Sequence, residues 1–552
     1  MRWIERTIWL VALAAIVGLY ALVATLHHGK VGHPLGDTWA HVAAIRRTLE
    51  RGPFPGDLFY GGGFTQPYYS LEHVAMAAAS WLTGLSPHVL FIGAAPWIAI
   101  SNLLAAALFL NRITGDLRVA VFGSLIELLP RMPAALWSIL PLPGTAALTP
   151  RYLCWYAYLR ARDEDSRAWL FGSGLALGAC IATHLAAGAT CTLGLVLLEL
   201  AQARRPRAVA PPAIAFATGI VVASPWVGNF IRAWFARVDV TDPVFSAGRA
   251  ASFVHWWGYS LQVYSDPLVR ILPGAMFFLA ILGFIRALTH VVRGDSTVAD
   301  RFAVWSVGAG SVLLYTPVFG LVAPMLGTWA PRLVLIFPFS LLFGLAGAAA
   351  MDRISAGLWV PLRQRAGQLA ALLLLYWIAS SMVSSTSLPT ALSGFWSTPI
   401  SSPLGAWDIE ERLASSGPVP HLVLSDPETS YSLPYLTGAY VVTVTPGHSS
   451  PYVNHRTRLR DVRDFYVADR GTLRRHHTLD QYGADGVAVN LDREWPRRGD
   501  AARLLERLRA DPSFVETGCC DRVVFFRYDP DGALRHTQTG SPPALVDREG
   551  HP

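Results

Sequence analysis

Charged residues are scarce in this sequence. They make up 15% of its 552 residues, against roughly a quarter in ordinary soluble domains. With a mean hydropathy of +0.36, a soluble class is excluded and a polytopic membrane protein is expected. Cysteine is scarce too: Cys154, Cys180, Cys191, Cys519 and Cys520. No two form a CxxC pair, so nothing points to a zinc or dithiol redox site. Cys519 and Cys520 are adjacent, and adjacent residues rarely meet the geometry of a disulfide. There is no HExxH, no internal repeat and no low-complexity tract. The net charge of +7 comes from arginines on short loops, where they act as topology signals. It does not argue for a nucleic-acid partner.

What the sequence has is a series of apolar stretches. The first, Trp9–Leu26, is too long for a signal-peptide core and is followed by many others, so it reads as an uncleaved helix. The others are Val89–Leu110, Val119–Leu129, Leu142–Leu159, Trp169–Thr183, Leu185–Leu200, Ala208–Val227, Leu268–Leu288, Phe302–Leu321, Leu333–Met351 and Leu369–Val383. The expected fold class is an α-helical membrane bundle of about 11 spans over 1–385. Every second loop is short and arginine-rich: Arg2 and Arg6; Arg112 and Arg118; Arg160, Arg162 and Arg167; Arg204, Arg205 and Arg207; Arg293 and Arg301; Arg353, Arg363 and Arg365. The positive-inside rule puts these in the cytoplasm. The loops at 28–87, 130–141, His184, 228–267 and 322–331 then face outward, with everything after the last span.

After about residue 386 the apolar runs shorten. His421–Ser425, Tyr440–Val444, Gly486–Asn490 and Arg522–Arg527 read as strands. Helical patterns lie at Thr429–Leu436, Arg458–Tyr466, Leu473–Tyr482 and Ala501–Ala510. Together they predict an extracytoplasmic α/β domain over 386–530 and a loose tail over 531–552.

The first outer loop carries the most information. It opens on Gly36-Asp37-Thr38-Trp39-Ala40-His41. From Asp37, the residues Trp39, Val42, Ala43, Arg46 and Arg47 predict an amphipathic interfacial helix ending near Gly52-Pro53. A second helix, Leu71–Thr83, runs to Gly84. Asp37 is either a helix cap or a general base that takes a proton from an acceptor hydroxyl. His33 and His41 are close by in sequence, and His41 shares its helix face. The histidines here leave room for a divalent cation, but no ligand spacing names one.

This arrangement resembles the GT-C superfamily. The resemblance rests on an uncleaved first span, G-D-T-W-A-H, an interfacial helix, G-P-F-P, Gln66-Pro67-Tyr68, and a second helix ending in L-T-G. GT-C proteins are membrane glycosyltransferases using lipid-phosphate-linked sugars, among them oligosaccharyltransferases, protein O-mannosyltransferases and lipid A aminoarabinose transferases. Many carry two adjacent acids where this chain has Asp37 alone.

The resemblance implies a polyprenyl-phosphate-sugar donor, a glycan, lipid or protein acceptor, and a bacterial plasma-membrane location. It implies Asp37 as the catalytic acid of the loop and Arg332 as a ligand of the donor phosphate. Arg151 and Arg131 also sit at outer helix ends. Each either snorkels to lipid headgroups or binds phosphate through its two-point fork. Arg131 has a further option in Glu127, four residues earlier. His184 is either a polar turn residue or a donor to phosphate or sugar. The alternative class is a transporter or flippase, for which Glu127 is the clear intramembrane acid.

Overall fold

Small residues decide how the bundle helices meet. A computed structural model describes residues 2–27, 38–61, 69–128, 143–202, 210–235, 274–319, 333, 335–356, 420–445, 449–450, 452–467, 471–520 and 522–530. The helices are α1 (Arg2–His27), α2 (Thr38–Arg51), α3 (Leu71–Thr83), α4 (Pro87–Thr114), α5 (Leu117–Ser124) and α6 (Pro143–Ala146). They continue with α7 (Leu148–Glu164), α8 (Arg167–Thr183), α9 (Leu185–Gln202), α10 (Ala210–Phe235), α11 (Gly274–Arg293), α12 (Val298–Tyr315) and α13 (Phe339–Ala356). Gly174 and Gly178 on α8 lie flat against α10. A Cβ added to them would stand 2.5 Å from Thr218 and 2.6 Å from Val222. This is small-residue packing, which substitutes for the hydrophobic effect between helices in lipid. Val221, Ile231, Leu282 and Ile285 on α10 and α11 remain exposed, as suits a lipid-facing surface.

Among the described residues, three stretches are long and apolar enough to cross a membrane: Trp97–Thr114, Leu185–Gln202 and Ala210–Ala233. The expected span Val119–Leu129 forms only the eight residues of α5 and a 3₁₀ turn, Leu125–Leu128. Val119 to Ser124 are buried in the bundle, where a short helix is tolerated. The stretch 369–383 lies outside the described residues.

The arginine-rich ends of the helices touch one another. Arg112 reaches Asp163 at 2.6 Å, Arg162 reaches Glu199 at 3.1 Å, and Arg301 donates to the carbonyl of Ala201 at 2.7 Å. Arg118 pairs with Asp352. These contacts join the ends of α4, α5, α7, α9, α12 and α13 at one end of the bundle.

After the bundle come β1 (Leu422–Leu424), α14 (Pro427–Leu436), β2 (Tyr440–Val441), α15 (His455–Tyr466) and α16 (Thr472–Tyr482). The chain closes with β3 (Gly486–Asn490), α17 (Asp500–Ala510), β4 (Phe514–Cys520) and β5 (Val523–Tyr528). The sheet order is β2-β1-β3-β5-β4. The first three strands are parallel, and β5 and β4 are antiparallel. The four expected strands and four expected helices all form. β4 is missing from the sequence reading because Glu516-Thr517-Gly518 interrupts its apolar pattern and a bulge breaks its register there.

Strand alternation sends the two faces of the sheet to different partners. Leu424, Val442, Val487, Val489, Val524 and Phe526 pack with the residues of α15, α16 and α17. Val423, Val441, Ala488, Val523 and Phe525 join a second core with α14 and the first loop. That core holds Val42, Ala43 and Ile45 of α2, Phe59, Met76 of α3 and Phe91 of α4. The loop also covers a sheet edge: Val441 N–H of edge strand β2 donates to the Phe59 carbonyl at 2.7 Å. So the loop after the first helix and the C-terminal sheet are parts of one folded unit.

Candidate functional site

The helix α2 was expected as an amphipathic helix lying at the membrane interface. It is instead covered on both sides. Val42 and Ile45 are fully buried, and the arginines turn to the C-terminal domain. Arg46 donates to the carbonyl of Tyr435, in the last turn of α14. Arg47 donates to the carbonyl of Ala439 at 3.3 Å and lies 4.3 Å over the ring of Tyr440. Arg51 donates to the Tyr440 hydroxyl at 2.6 Å. The last carbonyls of a helix lack intrahelical partners, so cationic side chains are stabilised there.

The helix α3 is fixed by a capping box. Ser70 Oγ accepts from His73 N–H at 3.3 Å, and His73 Nδ1 accepts from Ser70 N–H at 3.1 Å. The other nitrogen of His73, Nε2, meets His41 Nδ1 at 2.9 Å. His41 is half-buried and stacks on Phe91 at 6.0 Å. Burial, and then the neighbouring His41, hold His73 well below the usual histidine range. His73 is thus neutral. The next residue, Glu72, is buried, and neither carboxyl oxygen has a hydrogen-bond partner among the described residues. Burial pushes its carboxyl well above the usual range. Burial first, and Asp57 second, also push the Tyr69 phenol upward.

In the first turn of α7, Arg151 is 3% exposed, which excludes snorkelling. Its guanidinium lies 4.3 Å over the Trp155 ring and donates to the carbonyl of Leu335. Its Nε is buried without a hydrogen-bond partner among the described residues. Leu335 is three residues past Arg332, so Arg151 holds the segment that follows Arg332. Beside it, Glu127 accepts from Tyr152 at 2.7 Å and Ser340 at 2.8 Å. His184 is not a surface turn: it is buried, closes α8, and its Nδ1 accepts from Ala187 N–H at 3.1 Å. A Cβ on Gly144 of α6 would stand 3.7 Å from its Nε2. Asn102 ties α4 to this corner through the Thr145 carbonyl at 3.0 Å and the Thr149 hydroxyl at 2.6 Å.

Of the residues singled out from sequence, Asp37, Arg131 and Arg332 lie outside the described residues. His41 lies against Phe91 of the core shared with the C-terminal domain, whereas Arg151 packs within the bundle core and His184 beside it. Sequence reasoning missed His73 and Glu72 as site residues. The available signal was Ser70-x-x-His73 directly before an apolar helix, a capping-box spacing with histidine in the usual acidic position. No group of three His, Cys, Asp or Glu side chains among the described residues is arranged to hold a metal ion.

No protein-family model and no curated protein matches the sequence. Solved structures do match. The oligosaccharyltransferase of Archaeoglobus fulgidus is 11% identical and superposes with a TM-score of 0.57, over 94% of this chain and 74% of that one. ArnT from Cupriavidus metallidurans is 16% identical with a TM-score of 0.54, over 95% and 98%. The arabinofuranosyltransferase AftD from Mycobacteria is 16% identical with a TM-score of 0.53, over 91% and 40%. The archaeal enzyme has been solved with an inhibitory peptide and a dolichol-phosphate, and ArnT with undecaprenyl phosphate. All three are GT-C glycosyltransferases, and this chain shares their fold.

Proposed function

We propose that this chain is a glycosyltransferase that moves a hexosyl or pentosyl unit from a lipid-phosphate-linked donor to an acceptor on the extracytoplasmic side. The observation that carries this reading is the fold shared over 93% and 95% of the chain with proteins solved holding dolichol-phosphate and undecaprenyl phosphate. Asp37 acts as general base on the acceptor hydroxyl, and the sugar inverts as the lipid phosphate leaves. Phosphate is a good leaving group, so the protein mainly positions the partners and takes one proton. Arg332, Arg151 and Arg131 bind the phosphate, and His41 and His184 donate to sugar or phosphate oxygens.

The segregation of the ends supports this side of the membrane. The arginines of the short loops cluster at one end of the bundle, which is then cytoplasmic. The first loop and the C-terminal domain belong outside. The transport reading rests on Glu127. Its carboxylate takes two hydroxyl donors from neighbouring helices, which suits a packing role as well as a transport site, so it does not displace the enzyme reading.

The test uses purified protein and a panel of polyprenyl-phosphate sugars. Release of polyprenyl phosphate that depends on added acceptor is the expected result. Donor consumption by none of the panel, together with movement of intact lipid-linked sugar across vesicles, would favour transport.

A further inference from the structure

The helix α15 has an exposed face made of one residue type. Of its 12 residues, those exposed to solvent are Arg456, Arg460 and Arg463. At about 100° per residue they fall within an arc of about 60°, along about 10 Å of helix axis. The helix carries Arg458 as well, against two acids, Asp461 and Asp464. Both acids meet α16. Asp461 accepts from Tyr482 at 2.7 Å and from Gln481 at 3.4 Å, and Asp464 from Arg474 at 2.5 Å. Of the three exposed arginines, Arg460 alone meets a carboxylate among the described residues, that of Asp461 at 3.4 Å.

The two neighbouring helices show how this domain builds a solvated face. On α17, Arg503 pairs with Asp500 at 2.7 Å and Arg509 with Glu516 at 2.8 Å. On α16, Arg474 has Asp464, and Leu473, His477 and Asp480 are exposed beside it. Mixed signs are the rule on a soluble surface. A face of one sign repels itself and attracts anions.

The layers of the fold bear on which anion. The helices α15, α16 and α17 cover one face of the sheet, and α14, the first loop and Phe91 of α4 lie on the other. The sheet thus stands between α15 and α4, which is a poor position for binding lipid headgroups. At the start of α15 the chain comes round the β2 edge to the first loop. Arg458 donates to the Val442 carbonyl at 3.1 Å and lies 4.7 Å over the ring of Tyr60. The Tyr60 hydroxyl meets the Ser449 hydroxyl at 2.9 Å. A chain laid along the arginine face therefore has one end beside the first loop.

We infer that the arginine face of α15 is the docking surface for a polyanionic glycan, a sugar chain bearing carboxylate or phosphate groups at intervals. Guanidinium groups match both anions in a two-point fork. The inference rests on the glycosyltransferase reading only for the role of that chain, which is to be the acceptor. Its charged units are held on α15, away from the reacting end, and a hydroxyl at that end enters the first loop.

The experiment uses full-length protein in phosphatidylcholine nanodiscs and fluorescent oligogalacturonate, read by anisotropy. The sugar should bind at low ionic strength and be released as salt rises, and neutral dextran of equal length should not bind. Changing Arg456, Arg460 and Arg463 together to Gln puts another good helix former at exposed positions. That triple variant should bind about tenfold or more weakly. Arg503→Gln with Arg509→Gln on α17 should bind like the native chain. Native-like binding by the triple variant overturns the inference, as does an equal loss in the α17 variant. So does no binding of oligogalacturonate by the native chain, including the case in which phosphatidylglycerol vesicles bind instead. If the triple variant does not fold, the three single variants decide, each with a smaller loss expected. Binding needs no donor, so failure of the glycosyltransferase reading leaves this result standing.

Discussion

The two ends of the bundle treat arginine differently. At one end Arg112, Arg118 and Arg162 meet the carboxylates of Asp163, Asp352 and Glu199. At the other, Arg51 meets a tyrosine hydroxyl and Arg151 a backbone carbonyl and an indole face. Charge is cancelled at the first end. At the second, Arg46 keeps Glu50 as a partner, but Arg151 is buried and held by neutral acceptors, so its field persists. Such an end is suited to an anion arriving from outside the protein. Arginine identity alone does not distinguish the two; what stands opposite does.

The largest expected effect is at Asp37. Asp37→Asn keeps the side-chain shape and removes the basic site, so turnover should fall about 10²-fold or more with donor binding retained. Native-like turnover would make Asp37 a helix cap. Next is Arg47→Ala, which removes a buried charged hydrogen bond and a cation–π contact between the loop and the C-terminal domain. It should cost about 2 kcal/mol in thermal unfolding. Arg151→Lys keeps the charge but loses the planar fork and should raise the donor KM roughly tenfold. An unchanged KM would mean that Arg151 only holds Leu335.

Glu72→Gln sharpens the comparison through pH. The folded carboxyl is raised by burial, so between its ordinary value of about 4.3 and its folded value the folded state holds a proton that the unfolded state has lost. The stability it contributes is present at low pH and is lost as pH rises. Glutamine does not titrate. The variant should therefore gain on the native chain from pH 5 to pH 8, by about 1 kcal/mol or more, read as a difference in Tm. The smallest effect belongs to the cancelled end. Arg112→Ala breaks a half-exposed pair and should cost under about 1 kcal/mol.

Much of this was legible from the residues, and the failures share a cause. Ser70 and Gly84 bracket α3, which forms at Leu71–Thr83. Asp426 caps α14 as its place after β1 suggests, accepting from Glu428 and Thr429 at 3.1 and 3.0 Å. These are local signals. Arg46 and Arg47 look like a solvent-facing stripe because their partners lie in another part of the chain. His184 looks like a turn residue because its burial depends on α6 packing against the end of α8. His73 looks like one histidine among many until His41 is found 2.9 Å from it. Sequence patterns report what a residue does to its neighbours in the chain, and a site is built from residues that are not neighbours.

The arginine contacts of α2 also impose an order on biosynthesis. Arg46, Arg47 and Arg51 reach partners 389 to 392 residues later in the chain. Domains fold N-terminal first as the chain is made, and closing so long a loop is slow because its entropy is lost before any contact rewards it. The helix α2 is among the earliest segments to leave the ribosome, yet the residues that cover it are among the last. Val42 and Ile45 can meet α3 and α4 early, but their cover from α14 and the sheet must wait until the bundle has been made. The face of α2 that meets α14 and β2 is thus among the last surfaces of the described residues to be covered. A chain that stops before β1 carries its membrane helices but leaves the side of α2 that faces α14 and β2 uncovered.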